Sequence, residues 1–305
     1  MDRLEAMSAL LAAVEAGSLS GASRKLGMPL ATVSRKVSEL EAHLRTRLVT
    51  RTSRRLILTD AGRSYVTACK RILDEIDEAE RSAAGEYVMP RGDLVITAPI
   101  VFGRLHVLPV LFEFLKSYSD IDVRLVLADR VVNLQEEHAD LAVRIGELPD
   151  SSLVAARVGS ITRVVCGSPA YFAQRGTPNT PGALSKHDCV TFNGLMSPDI
   201  WVFASGKSSI SAAIHSRLVV NTAEAAIDAA VAGVGITRVL SYQVAGAIRS
   251  GALVLALREF EPAAVPVSLV YADQGLLPQK LRAVLDFVGP RLKAKLSKEE
   301  HGPHL

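Results

Sequence analysis

Residues 29–44 read PLATVSRKVSELEAHL, and this stretch decides the fold of the N-terminal part of the chain. Its apolar side chains recur at i, i+4, i+7 and i+11, the spacing of an amphipathic helix that packs on one side. Four residues form that stripe: Val33, Val37, Leu40 and Leu44. The opposite face carries small, hydroxyl and charged residues: Ala31, Thr32, Arg35, Ser38 and Glu39. Such a face is either simply solvated or lies in the groove of a partner.

Two helical segments upstream place this helix in a motif. The pattern predicts a helix over residues 2–16 that ends at Gly17, a residue suited to a left-handed C-cap. A second, short helix, SGASRKL, follows with Ser20 as its expected N-cap. Pro29 suits the first turn of the third helix. Two short helices joined by a tight turn predict a helix-turn-helix, whose second helix enters the major groove of DNA.

The segment after the third helix is basic. RTRLVTRTSRRLILT, residues 45–59, has two β-prone runs around a turn at residues 51–55, which predicts a hairpin beside DNA phosphates. Together, the three helices and this hairpin predict a winged helix-turn-helix domain over residues 1–59. Through Arg63 the chain has eleven Lys and Arg against six Asp and Glu, and the remainder has 24 against 26. The excess of +5 indicates an anionic partner, although charge by itself equally fits a solvated surface.

Residues 60–84 predict a long linker helix with one apolar seam. Its apolar and small side chains alternate at spacings of four and three, as in a coiled coil. The seam residues are Tyr65, Cys69, Ile72, Ile76 and Ala79. The seam packs either on the chain's own C-terminal domain or on a partner helix, and we favour the partner because helix-turn-helix proteins bind two half-sites as dimers. Gly85, Pro90 and Gly92 predict a hinge, which divides the linker, residues 60–89, from a domain over residues 90–305.

From Leu94 onward, short β runs alternate with helical segments, which predicts an α/β domain with largely parallel sheet. About 210 residues suit two subdomains with a crevice between them, and ligands bind beyond the strand ends. NTAE, residues 221–224, fits a capping box with Asn221 as N-cap, a structural role that competes with ligand binding. Arg144 ends a strand, where it binds a ligand carboxylate, bridges the two subdomains, or pairs with an acid such as Asp129 or Asp150.

These features predict a crevice for a small anionic ligand, a carboxylate. Helix N-termini after Ala98 and at Asn221, the Thr222 hydroxyl and the Arg144 charge favour an anion, and apolar residues suit its carbon body. The full candidate set is Ala98, Ile100, Phe102, Asp129, Arg144, Phe203, Asn221 and Thr222.

The run GSLSGASRKLGMPLATVSRKVSELEAHLRTRLVTRTSRRLILTDAG resembles the DNA-binding segment of LysR-type transcriptional regulators. The resemblance implies a set of DNA-facing residues, with Arg51 and Arg54 in the wing: Leu30, Ala31, Thr32, Ser34, Arg35, Ser38, Arg51, Thr52, Ser53 and Arg54. The chain departs from the family pattern at Pro29, Arg45 and Val49, where Ser, Gly and Phe are usual.

The C-terminal segments ITAPIVFGRLHVLPVL, DLAVRIGELPDSSLVAARVG and NTAEAAIDAAVAGVGITRVLSYQV resemble the effector-binding domain of the same family. The resemblance implies two Rossmann-like lobes, similar to periplasmic binding proteins, with crossings near residues 163 and 267. Lobe 1 then covers residues 90–163 and 268–297, and lobe 2 covers residues 164–267. It also implies that the linker helix dimerises the chain. Leu240 replaces a proline that is common in the family.

The sequence therefore predicts a regulator that binds operator DNA as a homodimer or homotetramer, responds to a small effector and contacts RNA polymerase. Three dispersed cysteines and the lack of a run long enough to span a bilayer place it in the cytoplasm, away from membranes. Catalytic motifs, cofactor fingerprints and metal-ligand spacings are missing, and the cluster Glu136, Glu137, His138 and Asp140 fits a solvated helix end. The alternatives are an α/β enzyme with an incidental helix-turn-helix and a DNA-binding protein without a ligand.

Overall fold

The computed structural model describes residues 2–51, 56–83, 89–129, 134, 139–148, 153–192, 200–206, 208–273 and 277–301. They form two compact units, Met1–Met89 and Pro90–Leu305. In the described part of the chain, no helix combines the length and the apolar character needed to cross a bilayer.

The N-terminal unit begins with three helices: α1 (Arg3–Glu15), α2 (Leu19–Leu26) and α3 (Leu30–Leu44). The Asp2 carboxylate caps α1 by accepting a hydrogen bond from the Leu4 N–H at 2.9 Å. The expected Ser20 N-cap of α2 is wrong. Ser18 is the last residue with an extended backbone, and its Oγ accepts from the Gly21 N–H at 3.0 Å. Ser20 therefore already lies inside the helix.

Apolar side chains of the three helices meet in one core, and α3 contributes the stripe seen in its sequence. Val33, Val37 and Leu40 are fully buried there, and Leu44 packs on the core from its edge. After α3 come the antiparallel strands β1 (Val49–Arg51) and β2 (Leu56–Leu58), then the long helix α4 (Asp60–Ala83). At Gly62 an added Cβ would lie 2.0 Å from the Leu48 carbonyl oxygen. Glycine is therefore required where α4 approaches the segment that enters β1.

The C-terminal unit contains twelve strands in its described part: β3 (Gly92–Ala98), β4 (Ile121–Leu127), β5 (Leu141–Ile145), β6 (Leu153–Ile161), β7 (Arg163–Gly167), β8 (Asp188–Phe192), β9 (Ile200–Ser205), β10 (Ser208–Ala213), β11 (His215–Val220), β12 (Ile236–Leu240), β13 (Val254–Ala256) and β14 (Val265–Ala272). Its described α-helices are α5 (Ile100–Phe102), α6 (Leu108–Ser117), α7 (Pro169–Arg175), α8 (Ala223–Val231), α9 (Ser241–Arg249) and α10 (Gln279–His301), and a π-helical turn, Gly103–Val107, joins α5 to α6.

These strands form two five-stranded sheets, one in each lobe. Lobe 1 has the order β4-β3-β5-β14-β6, lobe 2 has the order β11-β8-β12-β7-β13, and β9 and β10 form a separate hairpin. The chain passes from β6 in lobe 1 to β7 in lobe 2 at Thr162, and it returns to lobe 1 before β14.

The expectation of a largely parallel sheet is wrong, because each sheet is mixed. Only β3 with β4 and β5, and β8 with β11 and β12, pair in parallel in the two five-stranded sheets. The strands next to the crossings, β6, β7 and β14, run antiparallel to their neighbours. The second crossing also lies earlier than residue 267, since Val265 and Pro266 already pair with Ile161 and Ser160 of lobe 1.

Candidate DNA interface and effector crevice

The face of α3 opposite its buried stripe is accessible to a partner. Leu30, Ala31, Arg35 and Ser38 are exposed, and Thr32 and Ser34 are half-buried. The Arg35 side chain retains 69% of its surface, and its nearest acidic partner, Glu39, is 3.7 Å away on the same helix. A pair at that distance and exposure is weak, so the Arg35 guanidinium can exchange it for another anion. Arg51 ends β1, and Thr52, Ser53 and Arg54 lie outside the described residues.

Two acidic residues hold α3 in place, and the sequence pattern did not single out either. The Glu41 carboxylate accepts from the N–H groups of Leu48 and Val49 at 2.8 and 3.0 Å, which ties α3 to β1. Glu5 on α1 pairs with Lys36 on α3. The helix and the hairpin strand that begins the wing are therefore oriented together.

The α4 seam is divided between two environments. Cys69 is 0% exposed in its own chain, where α4 packs against α1, and burial raises the pKa of its thiol to about 11. A thiol with a raised pKa is unreactive at neutral pH. Tyr65 lies half-buried at the edge of the core that α1, α2 and α3 form. Further along the helix, Ile72 and Ile76 are half-buried and Ala79 is exposed.

At the strand ends of lobe 1, the helix N-terminus after Ala98 already has an acceptor. The Asp129 carboxylate, which follows β4, accepts from the Ile100 N–H at 2.9 Å. Ala98 itself is fully buried. Arg144 is half-buried near the end of β5, where it lies opposite Ser268 of β14. Asp150, a suggested partner of Arg144, is outside the described residues.

In lobe 2, Thr222 rather than Asn221 caps α8. The Thr222 Oγ1 accepts from the Ala225 N–H at 3.2 Å, and Thr222 has the extended backbone of an N-cap residue. The expected Asn221 cap is therefore wrong by one residue, because α8 begins at Ala223. The Asn221 side chain is exposed beside it.

The two aromatic residues expected to line the crevice are core residues instead. Phe102 is 0% exposed in the core of lobe 1, and Phe203 is 2% exposed in the core of lobe 2. Sequence periodicity could not separate a buried aromatic residue from one that lines a crevice, since both are apolar. Of the candidate set, this leaves accessible atoms on Ile100, Asp129, Arg144, Asn221 and Thr222.

Contacts between the lobes involve residues that the sequence analysis missed. Tyr242 of α9 meets the Phe102 and His106 rings of lobe 1 edge-on, with centroids 5.5 and 5.4 Å away. Arg104 pairs with Glu224 of α8 at 3.3 Å. Phe102 and Glu224 had been singled out for other roles, and the signal for Arg104 and His106 was the aromatic and basic run FGRLH, residues 102–106, between two predicted elements.

Burial at the junction of the lobes shifts the pKa values of two side chains, His106 and Tyr242. Burial, and then the charge of Lys295, lowers the pKa of His106 to about 4. Burial, and then the carboxylate of Asp129, raises the pKa of Tyr242. His106 is therefore neutral, and Tyr242 stays protonated, at physiological pH.

Groups of His, Cys, Asp and Glu suited to a metal ion are not found among the described residues. Asp140 of the cluster near residue 136 has a structural role, because its carboxylate accepts from the Val95 N–H at 2.7 Å. Glu136, Glu137 and His138 lie outside the described residues.

Comparison with known proteins covers both units. Residues 4–63 match the family described as bacterial regulatory helix-turn-helix protein, lysR family, and residues 89–293 match the LysR substrate binding domain. The chain is 35% identical over 290 residues to a HTH-type transcriptional repressor of Pseudomonas aeruginosa, covering 94% of this chain and 92% of that one. It is 30% identical to the HTH-type transcriptional activator AaeR of Escherichia coli, covering 99% and 98%.

Solved structures of LysR-type regulators are also similar to this chain. The chain is 30% identical to CrgA, a LysR-type transcriptional regulator from Neisseria meningitidis, with a TM-score of 0.60 over 94% of this chain and 98% of that one. Full-length AphB of Vibrio cholerae is 25% identical, with a TM-score of 0.60 over 93% and 98%. The relatives are named as regulators of transcription and not as enzymes. With a winged helix-turn-helix followed by a two-lobed effector domain, the chain belongs to the LysR family of DNA-binding transcriptional regulators.

Proposed function

We propose that α3 reads operator bases and that the wing contacts phosphates. The exposed, partly basic face of α3, with Arg35 at its centre, carries this proposal. A guanidinium in the major groove can donate two hydrogen bonds to guanine, which contributes roughly 1–3 kcal/mol of discrimination. Arg54 in the wing contributes charge without base readout.

Binding to DNA that flanks the chain's own coding region tests this division of roles. Footprinting locates the operator, and titrations then compare it with random DNA. We expect Arg35→Ala to reduce the difference in affinity between operator and random DNA. Arg54→Ala should weaken the affinity for both DNAs and lower the slope of log affinity against log salt concentration by about one unit. Lys116→Ala, an equal charge change on an exposed residue of α6, should leave both unchanged. Identical profiles for Arg35→Ala and Arg54→Ala would contradict the assignment.

We also propose that the second half of the α4 seam joins two chains, and that pairs of dimers form a tetramer. Cys69 offers no surface to a second chain, so we confine the seam to Ile72, Ile76 and Ala79, with Tyr65 at its edge. Half-buried isoleucines on a helix whose other faces are charged gain most by packing on a copy of themselves.

We propose that the protein acts in the cytoplasm and contacts RNA polymerase.

We propose that the effector is a small anionic metabolite, and that it binds at the strand ends of lobe 1, between the lobes. Arg144 near the end of β5 supports this proposal with its positive charge, and Thr222 and Asn221 at the start of α8 support it with polar side chains from lobe 2. Calorimetric screening of organic acids against the wild type and Arg144→Ala tests the site. A neutral compound as the tightest ligand, or unchanged acid affinity in Arg144→Ala, would refute it.

A further inference from the structure

Two arginines of lobe 2 project from the same face of its sheet. Arg163 begins β7, and Arg238 lies on the neighbouring antiparallel strand β12. In the observed register Leu240 is opposite Arg163, and Val165 is opposite Arg238. Residues opposite each other, or two apart on one strand, share a face, so the two arginines are diagonal neighbours, roughly 7–8 Å apart.

Arg238 is almost completely enclosed, at 4% exposure, under the β9–β10 hairpin. Its Nη2 donates to the Val202 carbonyl oxygen at 2.6 Å, and its guanidinium carbon lies 4.8 Å from the centroid of the Phe203 ring. Its Nε is buried and has no hydrogen-bond partner among the residues that the structure describes. A buried N–H group without an acceptor is rare in folded proteins and costs free energy, which suggests that an acceptor is still to bind.

Charge adds to this cost. Desolvation, and then repulsion from Arg163, lowers the pKa of Arg238 to about 10, and burial lowers the pKa of Arg163. Arg238 nevertheless stays protonated at neutral pH. Among the residues that the structure describes, no carboxylate pairs with either arginine. In the same lobe, by contrast, Arg175 and Arg217 both pair with Asp188 at 3.1 Å.

The Arg163 end of the pair is the accessible one. Arg163 is only half-buried and follows Thr162, where the chain enters lobe 2. Its cross-strand neighbour Leu240 packs with the core of lobe 1, so this end lies at the junction of the lobes. A small molecule that binds this pair would therefore meet Arg163 before Arg238.

We propose that Arg163 and Arg238 bind a small dianionic oxyanion, a dicarboxylate or a phosphate group. Oxyanions accept hydrogen bonds from guanidinium groups in a matching planar geometry. Two neighbouring positive charges in a site of low dielectric favour a ligand with two negative charges over one. This site is separate from Arg144, and the proposal does not depend on the effector site at the strand ends of lobe 1.

Calorimetric titration of the full-length protein tests the proposal with three probes: succinate, inorganic phosphate and acetate. We expect succinate or phosphate to bind saturably and acetate to bind much more weakly, and the tighter dianion identifies the class. Arg163→Met and Arg238→Met should each lower the affinity roughly 10- to 100-fold, the loss expected for a hydrogen bond to a charged group. Arg249→Met, which removes an exposed arginine of α9, is the matched control and should bind as the wild type does.

A second readout separates ligand binding from a structural role. Without ligand, Arg163→Met should raise the melting temperature, since it removes repulsion from Arg238, whereas a structural arginine would lower it. If Arg238→Met does not fold, Arg163→Lys takes its place. It keeps the charge, loses the planar fork and should bind with intermediate affinity.

Three results would overturn the proposal: no saturable binding of either dianion, acetate bound as tightly as succinate, or equal loss in Arg249→Met. Arg144→Met distinguishes the two sites. If it abolishes succinate binding while Arg163→Met does not, the dianion binds at the strand ends of lobe 1, and the Arg163–Arg238 site is refuted.

Discussion

Acid should destabilise the effector domain through His106. This side chain is 3% exposed, between the Phe102 and Tyr242 rings, and burial together with the charge of Lys295 lowers its pKa from 6.5 to about 4. Below pH 6.5 the unfolded chain therefore binds a proton that the folded chain rejects. The stability that depends on a neutral His106 is fully present above pH 6.5 and is lost as the pH falls towards 4.

The size of the effect follows from the two pKa values. Between pH 7 and pH 5, a shift from 6.5 to about 4 removes about 2 kcal/mol of unfolding free energy. We expect His106→Leu, which cannot bind a proton and has a similar volume, to lack this component of the pH dependence.

Urea unfolding at pH 5, 6 and 7 measures this pH dependence of the free energy of unfolding. The chain has one tryptophan, Trp201, which is 1% exposed in lobe 2, so its fluorescence reports on the effector domain, and far-UV circular dichroism checks the whole chain. His215→Leu, at a histidine whose side chain is 70% exposed, controls for the removal of any histidine. If the wild type and His106→Leu lose the same stability between pH 7 and pH 5, the reasoning about His106 is refuted.

Three further predictions concern the N-terminal unit. Arg45 ends α3 with φ +52°, a conformation that favours glycine. Arg45→Gly should therefore stabilise α3 by about 1 kcal/mol, which would slow the hydrogen exchange of the α3 amides roughly fivefold. Unchanged or faster exchange would contradict this. Gly62→Ala forces a Cβ against the Leu48 carbonyl and should destabilise the unit by about 1–3 kcal/mol in thermal unfolding, whereas an unchanged melting temperature would show that α4 shifts freely. Ile72→Asp with Ile76→Asp should reduce the mass in light scattering and weaken operator binding, and a double variant of unchanged mass would place the seam inside one chain.

Periodicity predicted the N-terminal unit well because its helices are short, local and packed on one side. The stripe in residues 29–44 predicted α3, which runs over Leu30–Leu44. The sequence did not fix the cap positions, because two nearby residues at the start of α2, and two at the start of α8, can each cap the helix. The backbone conformation decided for Ser18 over Ser20, and for Thr222 over Asn221.

In the effector domain, the sequence by itself determined the alternation of strands and helices and the family resemblance, both of which are local patterns. Tertiary structure decided which side chains are accessible, and it buried Phe102 and Phe203 in two separate cores. It also brought together Arg163 and Arg238, which are 75 positions apart in the sequence and meet only through the antiparallel pairing of β7 with β12. Burial and charge proximity depend on which strands become neighbours, and long-range pairing leaves no period in the sequence from which it could be read.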